Sequence, residues 1–310
     1  METIEVPCNL CGSTEYEVVY LERNGNGLGT SRLPRAHAFA CTSLDHGHFG
    51  RIVRCSSCQL LFRSPREPLE DVLQAYHDVV DETYVEEQAG RRRTFARSLE
   101  RLERFVPTRG RLLDVGCSIG LFLEVARTRR WEVAGMEPSA WATQYATTRL
   151  GLPVVCGTLH ETSFPNESFH VVTMWDVLEH CMDPSQELEA VHRLLRPGGV
   201  CCIGTMNIDS WFARCLGRRW PWLMQMHLYY WTPTTLERLL RKTGFELIQI
   251  EPYPHIFSLR YLAWKLQAYT PRLSVMASRA IQRLRLGDVC VAFDCGDSIT
   301  VYARKVTGEV

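Results

Sequence analysis

Short, densely apolar runs punctuate the chain from residue 109 onward. Arg111–Val115, Trp131–Met136, Leu152–Val155, Phe169–Trp175, Val200–Thr205 and Phe245–Ile250 have the length and aliphatic content of buried strands. Helical stretches lie between them. One opens after Gly120, one precedes Leu195, and Thr235–Thr243 stops at Gly244, a good C-terminal cap. Upstream, Leu69, Val72, Leu73 and Tyr76 recur at helical spacing behind Pro68. Ala96, Leu99, Leu102 and Phe105 continue the period on a second helix. Downstream, 256–286 reads as amphipathic helices with Arg279, Arg283 and Arg285 on the polar side. Residues 297–305 alternate apolar and polar, as a half-covered final strand would. The pattern predicts an α/β protein.

The run from Arg111 to Gly120 is a strand ending in a small-residue turn that feeds a helix, and Glu137 closes the next strand about 20 residues on. These are the parts of a nucleoside-binding βαβ unit. Glycines let the backbone approach a ligand, and the acid accepts hydrogen bonds from a ribose diol. A dinucleotide fingerprint wants glycine at 116, 118 and 121; the chain has Gly116, Ser118 and Leu121. An acid followed by small residues at alternate positions is met by Asp114, Gly116, Ser118 and Gly120.

With that turn, the chain resembles the class I S-adenosylmethionine (SAM) dependent methyltransferases, Ser118 replacing a middle glycine. Asp176-Val177-Leu178-Glu179-His180 and Arg196-Pro197-Gly198-Gly199 extend the likeness over roughly residues 109 to 250. The resemblance implies a Rossmann-like, mostly parallel sheet with an antiparallel C-terminal strand. It implies SAM as cofactor and S-adenosylhomocysteine (SAH) as product. Asp114, Gly116, Cys117, Ser118 and Gly120 would form the cofactor turn. Asp114 would orient the turn and the amino end of SAM, Glu137 would hold the ribose hydroxyls, Thr158 and Leu159 would lie beside the adenine, and Pro138, Trp175 and Asp176 would complete the cofactor-binding set.

Composition narrows the partners. Of 310 residues, 35 are acidic and 35 are lysine or arginine, so no global field favours nucleic acid or an anionic membrane. The N-terminus lacks the pattern of a secretory signal, and no apolar stretch reaches the length of a membrane span. A cytoplasmic, reducing location is the expectation, with the 13 cysteines as thiols or metal ligands.

Cys8-x-x-Cys11 and Cys55-x-x-Cys58 form two knuckle-like pairs that can complete one tetrahedral zinc site. His37, Cys41, His46 and His48 lie between them and offer an alternative fourth ligand. The expected organisation is a zinc-ribbon-like module over 1–66, a helical cap over 67–108 and a SAM-binding domain over 109–310 with insertions at 206–235 and 256–290. Within the cap, which in this family often covers the cofactor cleft, Tyr76 and Tyr84 read as core residues or as groups that reach the cofactor, and Arg91-Arg92-Arg93 as a solvated face in preference to a phosphate site.

Methyl transfer needs positioning and, for a hydroxyl acceptor, removal of a proton. His180, His227 and Asp176 are the candidate catalytic residues. Some quinone-pathway O-methyltransferases place acidic residues and the histidine of this motif around a divalent metal, which would make Asp176, Glu179 and His180 ligands. The aromatics between Trp211 and Trp231 suggest a flat or sugar-like acceptor, or pack a lid. The expected function is methylation of a small-molecule or sugar/glycan acceptor, with O-methylation in bacterial polysaccharide or natural-product biosynthesis preferred. The alternatives are a quinone-type, metal-assisted O-methyltransferase and a non-catalytic protein that holds SAM or a partner. For 256–286, peripheral membrane contact, a lid and a dimer contact all stay open.

Overall fold

The computed structural model describes residues 3–23, 35–43, 47–268 and 270–306, and the side chains of Arg35 and His37 lie outside that description. Three strands come first: β1 (Tyr16–Tyr20), β2 (Ile52–Cys55) and β3 (Leu61–Arg63). The main sheet follows with β4 (Arg111–Val115), β5 (Glu132–Glu137), β6 (Val154–Cys156), β7 (Phe169–Trp175) and β8 (Leu195–Met206). After β9 (Tyr229–Tyr230) come β10 (Phe245–Pro252), the hairpin β11 (His255–Ser258) and β12 (Cys290–Phe293), and β13 (Ser298–Lys305). The helices are α1 (Arg35–Ala38), α2 (Leu69–His77), α3 (Glu82–Glu86), α4 (Gln88–Leu102), α5 (Leu121–Thr128) and α6 (Ala140–Arg149). Then come α7 (Pro184–Leu194), α8 (Trp211–Leu216), α9 (Pro233–Lys242), α10 (Leu259–Lys265) and α11 (Pro271–Arg283). Among the described residues, no helix is long and apolar enough to cross a membrane.

The seven-stranded sheet runs β10-β13-β8-β7-β4-β5-β6. Strands β4 to β8 pair in parallel, and β13 is antiparallel to both neighbours, β8 and β10. This is the Rossmann-like class I arrangement. Its strands read as unbroken apolar runs because both faces are covered. Leu113, Val172 and Cys201 pack with α7 and α9 residues such as Leu188 and Leu240. Their neighbours Leu112, Val171 and Cys202 pack on the opposite side with Leu99 of α4 and Phe122 of α5.

A smaller sheet, β1-β2-β3-β9, is antiparallel throughout. Its last strand comes from the aromatic insertion: Leu61 faces Tyr230 and Phe62 faces Tyr229. Phe49, Ile52 and Leu61 share a core with Trp220, Leu223 and Tyr230. The indole N–H groups of Trp220 and Trp222 both donate to Asp297 Oδ2, at 2.8 and 3.1 Å.

Over 256–286 the structure departs from the all-helical expectation. The segment opens as strand β11, whose ladder with β12 pairs Ile256 with Ala292. Helix α4 fixes it there. Thr94 Oγ1 accepts from Ile256 N–H, and the Glu87 carboxylate accepts from both the N–H and the hydroxyl of Ser258. These long-range bonds outweigh the local helical period.

Candidate active site

A cavity of about 1300 Å³ opens at the carboxyl ends of β4, β5 and β7, where open α/β sheets bind ligands. Ligand pockets commonly span roughly 300–1,000 Å³, so this one has room for two molecules side by side. The turn after β4 forms its floor. Gly116 and Gly120 adopt φ of 67° and 83°, and a Cβ on Gly116 would lie 2.6 Å from Val177 Cγ2. Ser118 also takes a positive φ, 49°, a conformation usually left to glycine or asparagine.

The acid at the end of β5 ties the turn down. Glu137 Oε2 accepts from Ser118 N–H at 2.8 Å and Oε1 from Ser139 N–H at 2.9 Å. Burial raises its pKa, and these two N–H donors oppose the rise. Asp114 is buried beneath the turn and accepts from Thr173 Oγ1 at 2.6 Å. Burial pushes its pKa up to about 8. Pro138, Thr158 and Leu159 line the same cavity, as do Cys117 and Trp175; Gly120 starts α5 behind the lining.

Asp176 follows β7 with φ 55°, its side chain open to the cavity rather than packed in the core. The surrounding protein still removes most of its water, and this pushes its pKa up to about 7 against the opposing pull of Arg91. The 3₁₀ turn Leu178–His180 follows and carries Glu179. Glu179 is buried and accepts from Thr205 Oγ1 at 2.8 Å; burial, then the Asp176 charge, raise it to about 8.

His180 and His227 stand together, ring centroids 4.8 Å apart. His180 Nδ1 lies 3.0 Å from Met226 O and 2.9 Å from the Tyr76 hydroxyl, and His227 Nδ1 lies 2.6 Å from Trp222 O. A carbonyl only accepts, so each Nδ1 carries a proton, and on a neutral ring the lone pair then sits on Nε2. Burial lowers His180 to about 4, keeping it neutral. Ligand atoms of Glu179, His180 and His227 lie within 4.8 Å of one another. The sequence suggested Asp176, Glu179 and His180 as this trio; the structure groups His227, from the aromatic insertion, with Glu179 and His180.

One expectation about the cap changes. Arg91 is no solvated residue: it lines the cavity with its guanidinium 3.7 Å above the Tyr84 ring, and its buried Nε has no hydrogen-bond partner. The arginine run hid it, since one turn of a helix sends successive residues to different faces. Tyr76 and Tyr84 both line the cavity. Two more buried donors without partners, Trp175 Nε1 and His255 Nε2, belong to lining residues.

A second cluster lies at the other end of the small sheet. The sulfurs of Cys8, Cys11, Cys55 and Cys58 lie within 4.8 Å of one another, with Cys8–Cys58 at 3.4 Å and Cys11–Cys55 at 3.5 Å. Tetrahedral zinc at about 2.3 Å from each sulfur needs sulfurs about 3.8 Å apart, so the residues fit that ion. Cys41 lines the large cavity instead. The side chain of His37 and all of His46 lie outside the described residues; His48 is described and is not among the clustered ligands.

A family model described as a methyltransferase domain matches residues 88–250, just over half of the chain. The chain belongs to this methyltransferase family. It is 30% identical over 171 residues to a ubiquinone biosynthesis O-methyltransferase of Rhodopseudomonas palustris, covering 51% of this chain and 66% of that protein. It is 32% identical over 150 residues to the protein of the same name from Psychrobacter arcticus, covering 44% and 58%. The chain therefore spans less than two thirds of either relative. A SAM-dependent methyltransferase of Archaeoglobus fulgidus superposes with a TM-score of 0.48 at 19% identity, covering 69% of this chain and 94% of that one. Membership of this family makes SAM the methyl donor. The four-cysteine cluster lies outside the matched residues.

Proposed function

We propose that this methyltransferase transfers a methyl group from SAM to a hydroxyl of an apolar, flat small molecule. The observation that carries this is one cavity bounded by the Gly116 turn on one side and by Asp176 and an apolar wall on the other. Bound SAM supplies an electrophilic methyl group. Glu137 keeps lone pairs toward a ribose diol while its two N–H partners hold it still. Pro138, Thr158 and Leu159 border an adenine, and Arg91, with its unpartnered Nε, meets a carboxylate. Asp176 accepts the acceptor's proton: a carboxyl near 7 suits work at neutral pH, whereas His180 near 4 is too weak a base. Leu73, Val72, Met224, Met226 and Trp222 line the remaining wall, which suits an aromatic or isoprenoid body better than a sugar. The relatives' printed name, ubiquinone biosynthesis O-methyltransferase, supports the same chemistry.

Incubation with methyl-labelled SAM and hydroxylated aromatic acceptors bearing apolar substituents tests this. Label in an ether product supports it. Transfer only to sugars would overturn the acceptor class, and SAH binding with no transfer to any acceptor extract would make the protein a SAM-holding one.

The Glu179, His180 and His227 cluster favours a second reading, in which a divalent ion helps the acceptor hydroxyl lose its proton. Histidines whose Nδ1–H groups are held by carbonyls are built as metal ligands are. Activity abolished by a chelator, restored by one divalent ion and lost in Glu179→Gln would establish that reading. We also propose structural zinc on Cys8, Cys11, Cys55 and Cys58, since four thiolates leave no open position. A reducing, cytoplasmic setting suits thirteen cysteines without a disulfide.

A further inference from the structure

Helix α11 is held to the protein by very little. Of its thirteen residues only Ser274 is buried, its hydroxyl donating to Ala263 O at 2.7 Å. Leu273, Met276 and Leu284 are 54%, 66% and 66% exposed. With Ala280, also exposed, they fall at i, i+3, i+7 and i+11, one continuous ridge along the helix and its first C-terminal residue. The arginines follow a parallel line. Arg272, Arg279 and Arg283 are separated by seven and four residues, on the flank beside the ridge. All three are exposed, as is Arg285, and among the described residues none of the four makes an ion pair. No acidic residue occurs between 252 and 287, in a chain whose net charge is zero.

The third side of the helix faces inward. Ala277 and Ile281 line the large cavity, and so do Leu266, just before the helix, and Phe293, at the end of β12. Leu266 and Phe293 are 40% and 51% exposed, which makes them the rim of the opening. Trp211, 67% exposed, lies beside Gly296 on the same rim.

We infer that α11 docks on the surface of an anionic lipid bilayer, with its Leu273–Met276–Leu284 ridge in the acyl boundary and its arginines on the headgroups. An apolar ridge flanked by unpaired arginines is the composition of an interfacial helix. The local excess of positive charge fits anionic headgroups and does not fit a second copy of the same surface, which would set arginine against arginine. The consequence for the cavity is direct. Its rim lies on the docked side, so an apolar ligand passes from lipid to the site without crossing water. The docking itself depends only on α11 and its surroundings, not on the chemistry proposed for the site.

Cosedimentation of the full-length protein with vesicles tests this. Phosphatidylcholine vesicles are compared with equimolar phosphatidylcholine and phosphatidylglycerol. The expected result is pelleting with the anionic vesicles alone, reversed by high salt. Met276→Asp with Leu284→Asp, and separately Arg279→Gln with Arg283→Gln, are expected to weaken partitioning by at least about 10-fold. Calorimetric SAH binding should be unchanged in both, since neither pair lines the cavity, and it reports the folded state. The milder glutamine pair decides the matter if the aspartate pair misfolds. Equal recovery in the supernatant with and without anionic vesicles would overturn the inference. So would folded glutamine-pair protein that pellets like the wild type, or a stable dimer in light scattering that Met276→Asp dissociates. Loss of SAH binding in the wild type would instead count against the cofactor site and leave the vesicle result standing.

Discussion

Single side chains set the chemistry of the cavity. Glu137 clamps the turn through Ser118 and Ser139 N–H, and in the proposed function it also presents lone pairs to a ribose. Glu137→Ala is expected to weaken SAH binding by about 1–3 kcal/mol, the usual cost of losing hydrogen bonds to a charged group. Calorimetry with unchanged affinity would remove Glu137 from the site. Asp176 gives a pH signature. A base must be deprotonated to act, so the methyl-transfer rate is expected to fall as pH drops through about 7. Asp176→Asn should keep SAH affinity and lose on the order of 10²-fold in kcat. A flat profile in the wild type would place the proton elsewhere. Asp114, Gly116 and Glu137 were legible in the sequence because a few local spacings encode a strand, a turn and an acid. Arg91 and the pairing of His180 with His227 were not. Both depend on which elements meet across the cavity, and no local spacing records that.

At the scale of elements, the four-cysteine knuckles are stitched into the main core. Cys8, Cys55 and Cys58 share a buried cluster with Leu113, Val172 and Leu240. Their loss therefore reaches beyond the small sheet. Cys58→Ser is expected to abolish zinc binding and to lower the thermal midpoint by roughly 10 °C, several kcal/mol at about 2–4 °C each. Elemental analysis and a melting curve check the two halves separately, and retained zinc would point to a ligand from the segment between the knuckles. The strands of the main sheet were readable as continuous apolar runs, since burial on both faces leaves no alternation to misread. Strand β9 was not. Two residues of ladder, Tyr229 and Tyr230, are too short to show a period, and their partners Phe62 and Leu61 lie far away in sequence. Strand β11 was hidden for a related reason: Glu87, just before α4, and Thr94 within it hold the strand, and only the tertiary structure brings them together.

At the scale of the whole molecule, buried acids make stability depend on pH. Asp114 and Glu179 sit near 8 and Asp176 near 7, all above the usual carboxylate range because the fold removes their water. Each is protonated in the folded chain and ionised in the unfolded one over that interval. The unfolded state then binds fewer protons, so stability falls as pH rises. His180 and His255, both near 4, act the other way, but only between about 4 and 6.5, where the unfolded histidine is charged. From pH 6.5 to 8 the carboxyls act without that opposition. The thermal midpoint of the ligand-free protein is expected to drop across that range, at most about 1.4 kcal/mol per pH unit for each acid. Asp114→Asn should make the drop shallower. A midpoint that stays level would mean these acids ionise freely in the folded chain.

The shared sheet also imposes an order on biosynthesis. A chain leaving the ribosome completes Cys58 and β3 long before β9 exists. Throughout that interval the open edge of β3, with Phe62 upon it, is a template for pairing with any neighbouring nascent chain. With the proposed zinc on Cys8, Cys11, Cys55 and Cys58, the metal alone would be available early enough to hold β2 and β3 together while the edge waits. Zinc starvation during synthesis is thus expected to yield aggregates, whereas chelation of the finished protein, its edge already covered by Tyr229 and Tyr230, should leave it in solution. Fractionating cells depleted before and after a pulse of expression separates the two. If both pools stay equally soluble, the ion has no role in guarding the unfinished sheet.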